Sequence, residues 1–383
     1  MVELLELPDS AYELAVKRYT DLGEWFGRDE SLLARNSPNI FPQGSFRLGT
    51  AIRPLGQDEE YDLDLACEIR EGITSGNQTQ ENLKRLVGHE VETYRSARGI
   101  KNAKVEKHRC WRLHYQDQLN FHMDIVPCVP AGTSRQILIE ASLREAGEED
   151  LLKAAAARTT VLITDDRHHG YRTICDDWNI SNPAGYGAWF EIRMNRQEMA
   201  ILERAQVQAV PLYKRKTVLQ RIVQLLKRHR DQMFGDDESK PISVIITTLA
   251  GRAYNGEKDT EAGLAGVLSR MGAFVRGSYP RVPNPVNPKE DFADRWSMSQ
   301  YRTLKLEENF WLWLEQAQAD FRLIGSRDDA EFIAEQAARK FGVSLNADEL
   351  RKRLGLSVPV ISVITAKSHE LSGQPKPWSR IFK

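Results

Sequence analysis

Residues 39–69 read NIFPQGSFRLGTAIRPLGQDEEYDLDLACEI, and residues 120–129 read NFHMDIVPCV. In the first stretch Leu63 and Leu65 alternate with Asp62 and Asp64, the period of a half-buried strand. Side chains at i and i+2 leave a strand on one face, so both carboxylates project together. In the second stretch Asn120, His122 and Asp124 share a face, while Met123, Ile125 and Val126 are apolar, as in a buried central strand. If the two strands are neighbours, three carboxylates meet. Anions that close raise one another's pKa unless a cation lies between them. Hard oxygen donors suit Mg²⁺, with Mn²⁺ as a substitute, and such a trio can hold two ions about 4 Å apart. Taken alone, a DxD on a strand is more often an exposed sheet face. The upstream segment GSFRLGT (44–50) adds to the pattern: Gly44 permits close backbone approach, and the Ser45 hydroxyl with adjacent N–H groups can hold phosphate oxygens. It is no P-loop, because Thr50 stands where that motif requires lysine.

Outward from this centre, Asp9-Ser10 and AYELAVKRYTDLGEWF predict a first helix capped by Ser10, and residues 79–98 a second. WRLHY (111–115) and NFHMDIVPCV are expected to form a hairpin around QDQL, and TTVLI and YRTI a second hairpin around DDRHHG (165–170). Beyond residue 205 the pattern turns helical, over 216–234, 242–254, 260–274, 298–319, 328–341 and 346–354. The proline-rich run YPRVPNPVNP (279–288) is expected to drape over a surface as extended chain. The expected fold is α+β: an α/β lobe over 1–205, a helical lobe over 206–366 on which the N-terminal helix can pack, an extended tail over 367–383, and a cleft between the lobes.

The 383 residues carry 53 Lys+Arg against 54 Asp+Glu, a net charge of −1, which argues against a protein that grips duplex DNA by bulk positive charge. No apolar run is long enough for a transmembrane helix, and MVELLELPDS does not read as a secretory signal. Four dispersed cysteines without a CxxC pair argue against a cysteine zinc site and fit a reducing cytoplasm.

Taken together, QGSFRLGTAIRP, EYDLDL and HMDIVP resemble the polymerase-β-like nucleotidyltransferase superfamily. Within it the sequence looks like the bacterial CD-NTases, the cGAS/DncV-like enzymes of CBASS anti-phage defence. LQRIVQLLKRHRD, PISVIITTLAGRAY and NPVNPKEDFADRW extend the likeness to about residue 300. The resemblance implies a polymerase-β-like core with a mixed sheet and a C-terminal helical lobe. It implies an Mg²⁺-dependent synthase that makes a cyclic di- or trinucleotide second messenger from NTPs, ATP or GTP foremost, releasing pyrophosphate. Asp62, Asp64 and Asp124 would bind two Mg²⁺, with Asp124 helping to deprotonate the attacking hydroxyl. Gln43, Gly44 and Ser45 would hold the donor triphosphate, and Lys227 and Ser243 would reach nucleotide phosphates. Lys227 does sit at the edge of the apolar stripe Leu219, Ile222, Val223 and Leu226, where a lysine can bury its stem and send its ammonium into a cleft. A separate effector, accessory regulators, a monomeric enzyme and no activation by duplex DNA complete the expectation. A linear transferase acting on RNA or protein, and an inactive nucleotide-binding signalling protein, are the alternatives.

The remaining candidates carry blander readings. Asp165, Asp166, His168 and His169 fit turn chemistry, and AGYGAWF (184–190) an aromatic plug between lobes. Trp296, Trp311 and Trp313 are expected in the core, and Arg221 and Arg228 on a solvated basic face. His122 is expected to line the pocket or hydrogen-bond a carboxylate, and Asp291 and Asp294 stay outside the site.

Overall fold

A computed structural model describes residues 2–54, 61–115, 121–147, 150–194, 216–353 and 355. The turn QDQL, Asn120, Lys214, Arg215, the lobe boundary at 205 and the tail over 367–383 lie outside them.

Seven strands form one sheet: β1 (Pro38–Pro42), β2 (Tyr61–Ile69), β3 (Val105–Glu106), β4 (Trp111–Tyr115), β5 (Phe121–Pro130), β6 (Val161–Ile163) and β7 (Asn179–Ser181). β5 is its spine. β2 runs parallel along one side of it, while on the other side β4 pairs antiparallel with its first half and β6 with its second. Phe121, Met123 and Ile125 are fully buried on one face, which leaves His122 and Asp124 on the other. Helices α1 (Val2–Leu5), α2 (Asp9–Gly27), α3 (Gly44–Leu48) and α4 (Gln80–Ala97) lie in the first part of the chain. α2 and α4 cover the apolar face of the sheet. Leu83, Val87, Val91 and Tyr94 give α4 a helical-period stripe that meets Leu63, Leu65 and Ile125 in one core. Ser10 lies within the first turn of α2 instead of capping it, because the helix already begins at Asp9.

The other core is helical. It joins α5 (Thr133–Glu145), α6 (Asp150–Arg158) and α7 (Pro183–Met194) to α8 (Val218–Phe234), α9 (Ser243–Ala253), α10 (Thr260–Arg270), α11 (Leu306–Gly325) and α12 (Ala330–Phe341); α13 (Ala347–Arg353) packs on α12. Leu5 of α1 belongs to this core too.

Several sequence expectations are corrected. β6 pairs with β5 and β7, not with YRTI. Residues 171–174 have no buried face, with Ile174 exposed to solvent, so nothing holds them in a sheet. The proline-rich run is not draped over the surface: Pro283–Asn284 (β8) and Asn287–Asp291 (β9) form a small hairpin, with Asn284, Val286 and Asn287 buried. The Asp291 carboxylate closes that hairpin by accepting from the backbone N–H groups of Arg281, Val282 and Ala293. Lys305, in the left-handed conformation, separates a 3₁₀ turn at Ser299–Leu304 from α11 where one helix was expected. Trp313 is core, but Trp311 stays 39% exposed, since the buried stripe of α11 runs through Phe310, Trp313, Leu314 and Ala317.

Candidate active site

The parallel register pairs Asp62 with His122 and Asp64 with Asp124. Three acidic side chains, two of them distant in sequence from the third, therefore share one patch of sheet. Donor atoms of Asp62, His122 and Asp124 lie within 4.8 Å of one another. Asp64 sits deepest. Burial, then the charges of Asp62 and Asp124, hold its carboxyl well above the usual carboxylate range. Directly over it lies Gly44, with φ +61°, and a Cβ at that position would collide with Oδ2 of Asp64. The backbone N–H of Gln43 donates to the carbonyl of Asp64 at 2.8 Å, which fixes the start of α3 against β2.

Two cationic or titratable side chains face the carboxylates. His122 Nε2 is 2.9 Å from Oδ1 of Asp62. Burial pulls the imidazole pKa down, but the hydrogen bond and charge of Asp62 outweigh it and leave the ring more basic than usual. Arg112 of β4, directly opposite Asp124, donates from Nε to Oδ1 at 2.6 Å and from Nη2 to Oδ2 at 2.7 Å. Sequence reading missed Arg112. The signal was available only through register, because WRLHY pairs with FHMDI across a hairpin. The donor set is almost all oxygen, and Asp64 is too crowded by like charge to stay ionised unaided. Both properties fit hard divalent cations such as Mg²⁺ or Mn²⁺.

The opposite wall is α8. Its capping box, Thr217 with Gln220, fixes where the helix starts. From there Gln220 donates to the carbonyl of Leu48 at 2.9 Å, Gln224 to that of Ala51 at 3.0 Å, Lys227 to that of Thr50 at 3.0 Å, and Arg228 to that of Arg53. Residues at i, i+4, i+7 and i+8 form one helical stripe, and this polar stripe anchors the backbone that follows α3. Arg228 is thus buried, not on a solvated face: the carbonyl of Arg53 draws it inward. Lys227 is buried at the cleft, and burial, then the nearby charge of Arg230, brings its ammonium pKa down to about 8. Arg230 donates to the carbonyl of Pro241 at 2.8 Å and to Oγ of Ser243 at 3.1 Å.

Between these walls lies a cleft of about 670 Å³. Gln43, Gly44, Ser45, Asp62, Asp64, Lys227 and Ser243 all line it; Asp124 is not in the lining but is paired with Asp64 on the neighbouring strand. Lys240, Glu290 and Phe292 line it as well; none was named as a site residue from sequence, although Glu290 and Phe292 fall in the stretch NPVNPKEDFADRW. Tyr186 does double duty. Its Oη is 2.8 Å from Oγ1 of Thr248, its ring meets Trp189 and Phe292, and its edge borders the cleft. Asp165, by contrast, accepts the backbone N–H of Arg167 two residues on, as turn chemistry requires, and is held besides by the side chains of Arg109 and Asn179 from other parts of the chain. His168, His169 and Asp177 also cluster. However, Nδ1 of His168 already faces the backbone N–H of Gly170 at 3.0 Å and Nε2 of Gln80 at 3.1 Å, which leaves the ring proton on Nε2 and no free lone pair for a metal.

Comparison with known proteins shows the family. Residues 38–128, which span β1 to β5, match the family model described as cyclic GMP-AMP synthase DncV-like, nucleotidyltransferase domain. A c-di-GMP synthase of Roseivirga ehrenbergii is 31% identical over 309 residues, covering 77% of this chain and 71% of the relative. The chain belongs to the DncV-like nucleotidyltransferases, the CD-NTase family. Another relative is the cyclic dinucleotide synthase CdnG of Bradyrhizobium diazoefficiens, 28% identical over 323 residues, 77% of this chain and 68% of the relative. The solved structure of that CD-NTase in complex with GTP has a TM-score of 0.62 at 22% identity, covering 92% of this chain and 96% of the other. The CdnC of E. coli MS115-1, solved in a complex with HORMA, has a TM-score of 0.55 at 12% identity, covering 90% and 95%. Both likenesses show the polymerase-β-like core with its helical lobe. Among the described residues no helix is long and apolar enough to cross a membrane.

Proposed function

We propose that this CD-NTase joins two nucleoside triphosphates into a cyclic dinucleotide, releasing two pyrophosphates, through the carboxylates of Asp62, Asp64 and Asp124. The observation that carries this reading is the register that sets Asp64 beside Asp124 with Gly44 packed over Asp64. The three carboxylates would hold the divalent ions. When bound, these supply charge neutralisation at the α-phosphate and the leaving pyrophosphate.

The rest is work for the chain's own residues. Gly44 and Ser45 face the triphosphate from one wall, and Lys227 and Ser243 from the other. A ribose hydroxyl oxygen attacks the α-phosphorus, the bond to the bridging oxygen breaks, and pyrophosphate leaves. The hydroxyl proton passes toward Asp124. The linear intermediate turns in the cleft, and a second attack of the same kind closes the ring. Positioning and electrostatics carry most of the acceleration.

For the base, we infer guanine. Glu290 lines the cleft, with Asn284 Nδ2 donating to its Oε2 at 2.8 Å. A carboxylate matches the N1–H and N2–H₂ donors of guanine, whereas adenine presents an acceptor at N1. The names of the relatives, a c-di-GMP synthase and a CdnG solved with GTP, support the same choice. We infer that the product is a signal read by a separate effector protein in anti-phage defence, and that a HORMA-type regulator is a candidate accessory partner.

Purified protein incubated with all four NTPs and Mg²⁺, with products read by mass spectrometry, tests the proposal. A cyclic dinucleotide containing guanine is expected without added RNA, and none from the Asp62→Asn/Asp64→Asn double variant. Linear products only, or activity only on an added RNA end, would overturn it.

A further inference from the structure

Asp124 is held by a fork. Arg112 contributes two parallel N–H···O bonds, one to each carboxylate oxygen, at 2.6 and 2.7 Å. The pair is mostly enclosed, with side-chain exposures of 24% for Arg112 and 13% for Asp124. Its origin is register: Arg112 lies directly opposite Asp124 in the antiparallel β4–β5 pair, and Asp64 lies directly opposite on the other side. The sheet therefore orders a guanidinium, a carboxylate and a second carboxylate across three adjacent strands. Unlike His122 on Asp62, a guanidinium does not lose its proton in proteins. Its charge beside the triad is permanent.

Two consequences follow from this arrangement. A bidentate pair fixes the rotation of the Asp124 carboxylate and uses one lone pair of each oxygen, leaving the others for a second partner. The same charge makes the cluster one negative charge weaker than three bare carboxylates. A divalent ion arriving at the triad meets the guanidinium's repulsion a few ångströms behind Asp124. With the water of the cleft screening the pair to between the protein-surface and bulk-water limits, a unit charge at that range weakens divalent binding by about tenfold to a hundredfold.

We propose that Arg112 is a positioning residue and resident counter-ion of the triad: it holds Asp124 aimed, and it keeps the affinity of the nucleotide-free site for divalent metal low, so that metal loads together with the triphosphate. This rests on the reading of Asp62, Asp64 and Asp124 as metal ligands. It predicts that orientation and charge separate on mutation. Arg112→Met removes both; Arg112→Lys keeps the charge and loses the fork.

The test is Mn²⁺ binding to metal-stripped protein, followed by electron paramagnetic resonance, with and without a non-hydrolysable GTP analogue. Without nucleotide, Arg112→Met is expected to bind Mn²⁺ at least about tenfold tighter than wild type, and Arg112→Lys within about threefold of it. Both variants are expected to lose about thirtyfold or more in kcat with a much smaller change in KM, because Asp124 is free to rotate. Arg112→Gln serves in place of Arg112→Met if that variant does not fold, as judged by its melting curve in EDTA. If the neutral variants fold and bind Mn²⁺ no more tightly than wild type, the counter-ion proposal is wrong. If wild type binds no Mn²⁺ even with the analogue, the metal reading of the triad has failed instead.

Discussion

Replacing Asp64 with asparagine should destroy turnover and yet stabilise the metal-free protein. The side chain sits among Asp62 and Asp124 in a desolvated patch, and its folded pKa is raised above the ordinary carboxylate value. A raised pKa means that the ionised form is disfavoured by folding. The contribution of Asp64 is then at its best below the unfolded pKa of about 4 and is lost as pH rises through the folded value. A tenfold weakening of an acid on folding corresponds to about 1.4 kcal/mol. Discounted for the solvent in an open cleft, about 2 kcal/mol is a reasonable size for the relief given by Asp64→Asn. In a chain of this length that is a gain of about 2–3 °C in Tm. Differential scanning fluorimetry in EDTA at about pH 8.5 and about pH 4.5 measures it, the difference belonging to the higher pH. Saturating Mg²⁺ should raise wild type and leave the variant almost unmoved. If Asp64→Asn melts at or below wild type in EDTA at the higher pH, the carboxylates do not repel as described.

Gly44→Ala forces a left-handed φ on alanine and drives its Cβ into Oδ2 of Asp64; kcat/KM should fall about a hundredfold and stability by about 1–2 kcal/mol, with steady-state pyrophosphate release and thermal melting as the measurements. Lys227→Met should raise the KM for NTP about tenfold. In wild type, nucleotide affinity should weaken as pH rises through about 8, where the buried ammonium loses its charge, and that limb should vanish in the variant; a pH-independent wild-type affinity would remove Lys227 from the phosphate site. Glu290→Gln should reduce the preference for GTP over ATP by about tenfold or more in competition, since an amide matches only one of guanine's two donors; unchanged selectivity would place the base elsewhere.

How much of this was legible in the sequence differs from element to element. β2 and β5 were readable because each alternates cleanly: Leu63 and Leu65 against two aspartates, Met123 and Ile125 against His122 and Asp124. That they run side by side was only a condition in the reading of the residues, filled in by the resemblance to nucleotidyltransferases; the parallel register of β2 and β5 meets it. The hairpin assigned to YRTI failed because local alternation says nothing about burial, and Ile174 faces water. The NPVNP hairpin was hidden by its prolines, which argue against a strand in general but suit a two-residue pairing closed by a side-chain carboxylate. Arg228 was misplaced for a similar reason: a helical wheel takes polar residues for solvent-facing ones, whereas α8 turns Gln220, Gln224, Lys227 and Arg228 toward carbonyls of residues 48–53. Such polar stripes become visible only when the partner backbone is known.

Everything functional depends on Asp62, Asp64 and Asp124 forming one metal cradle beneath Gly44. Crystals grown with Mn²⁺ and a non-hydrolysable GTP analogue, measured at the manganese absorption edge, test it most directly. Two anomalous peaks bridged by the three carboxylates are expected, with the triphosphate between Ser45 and Lys227. Peaks coordinated by other residues, or a triphosphate bound away from Gly44, would contradict it.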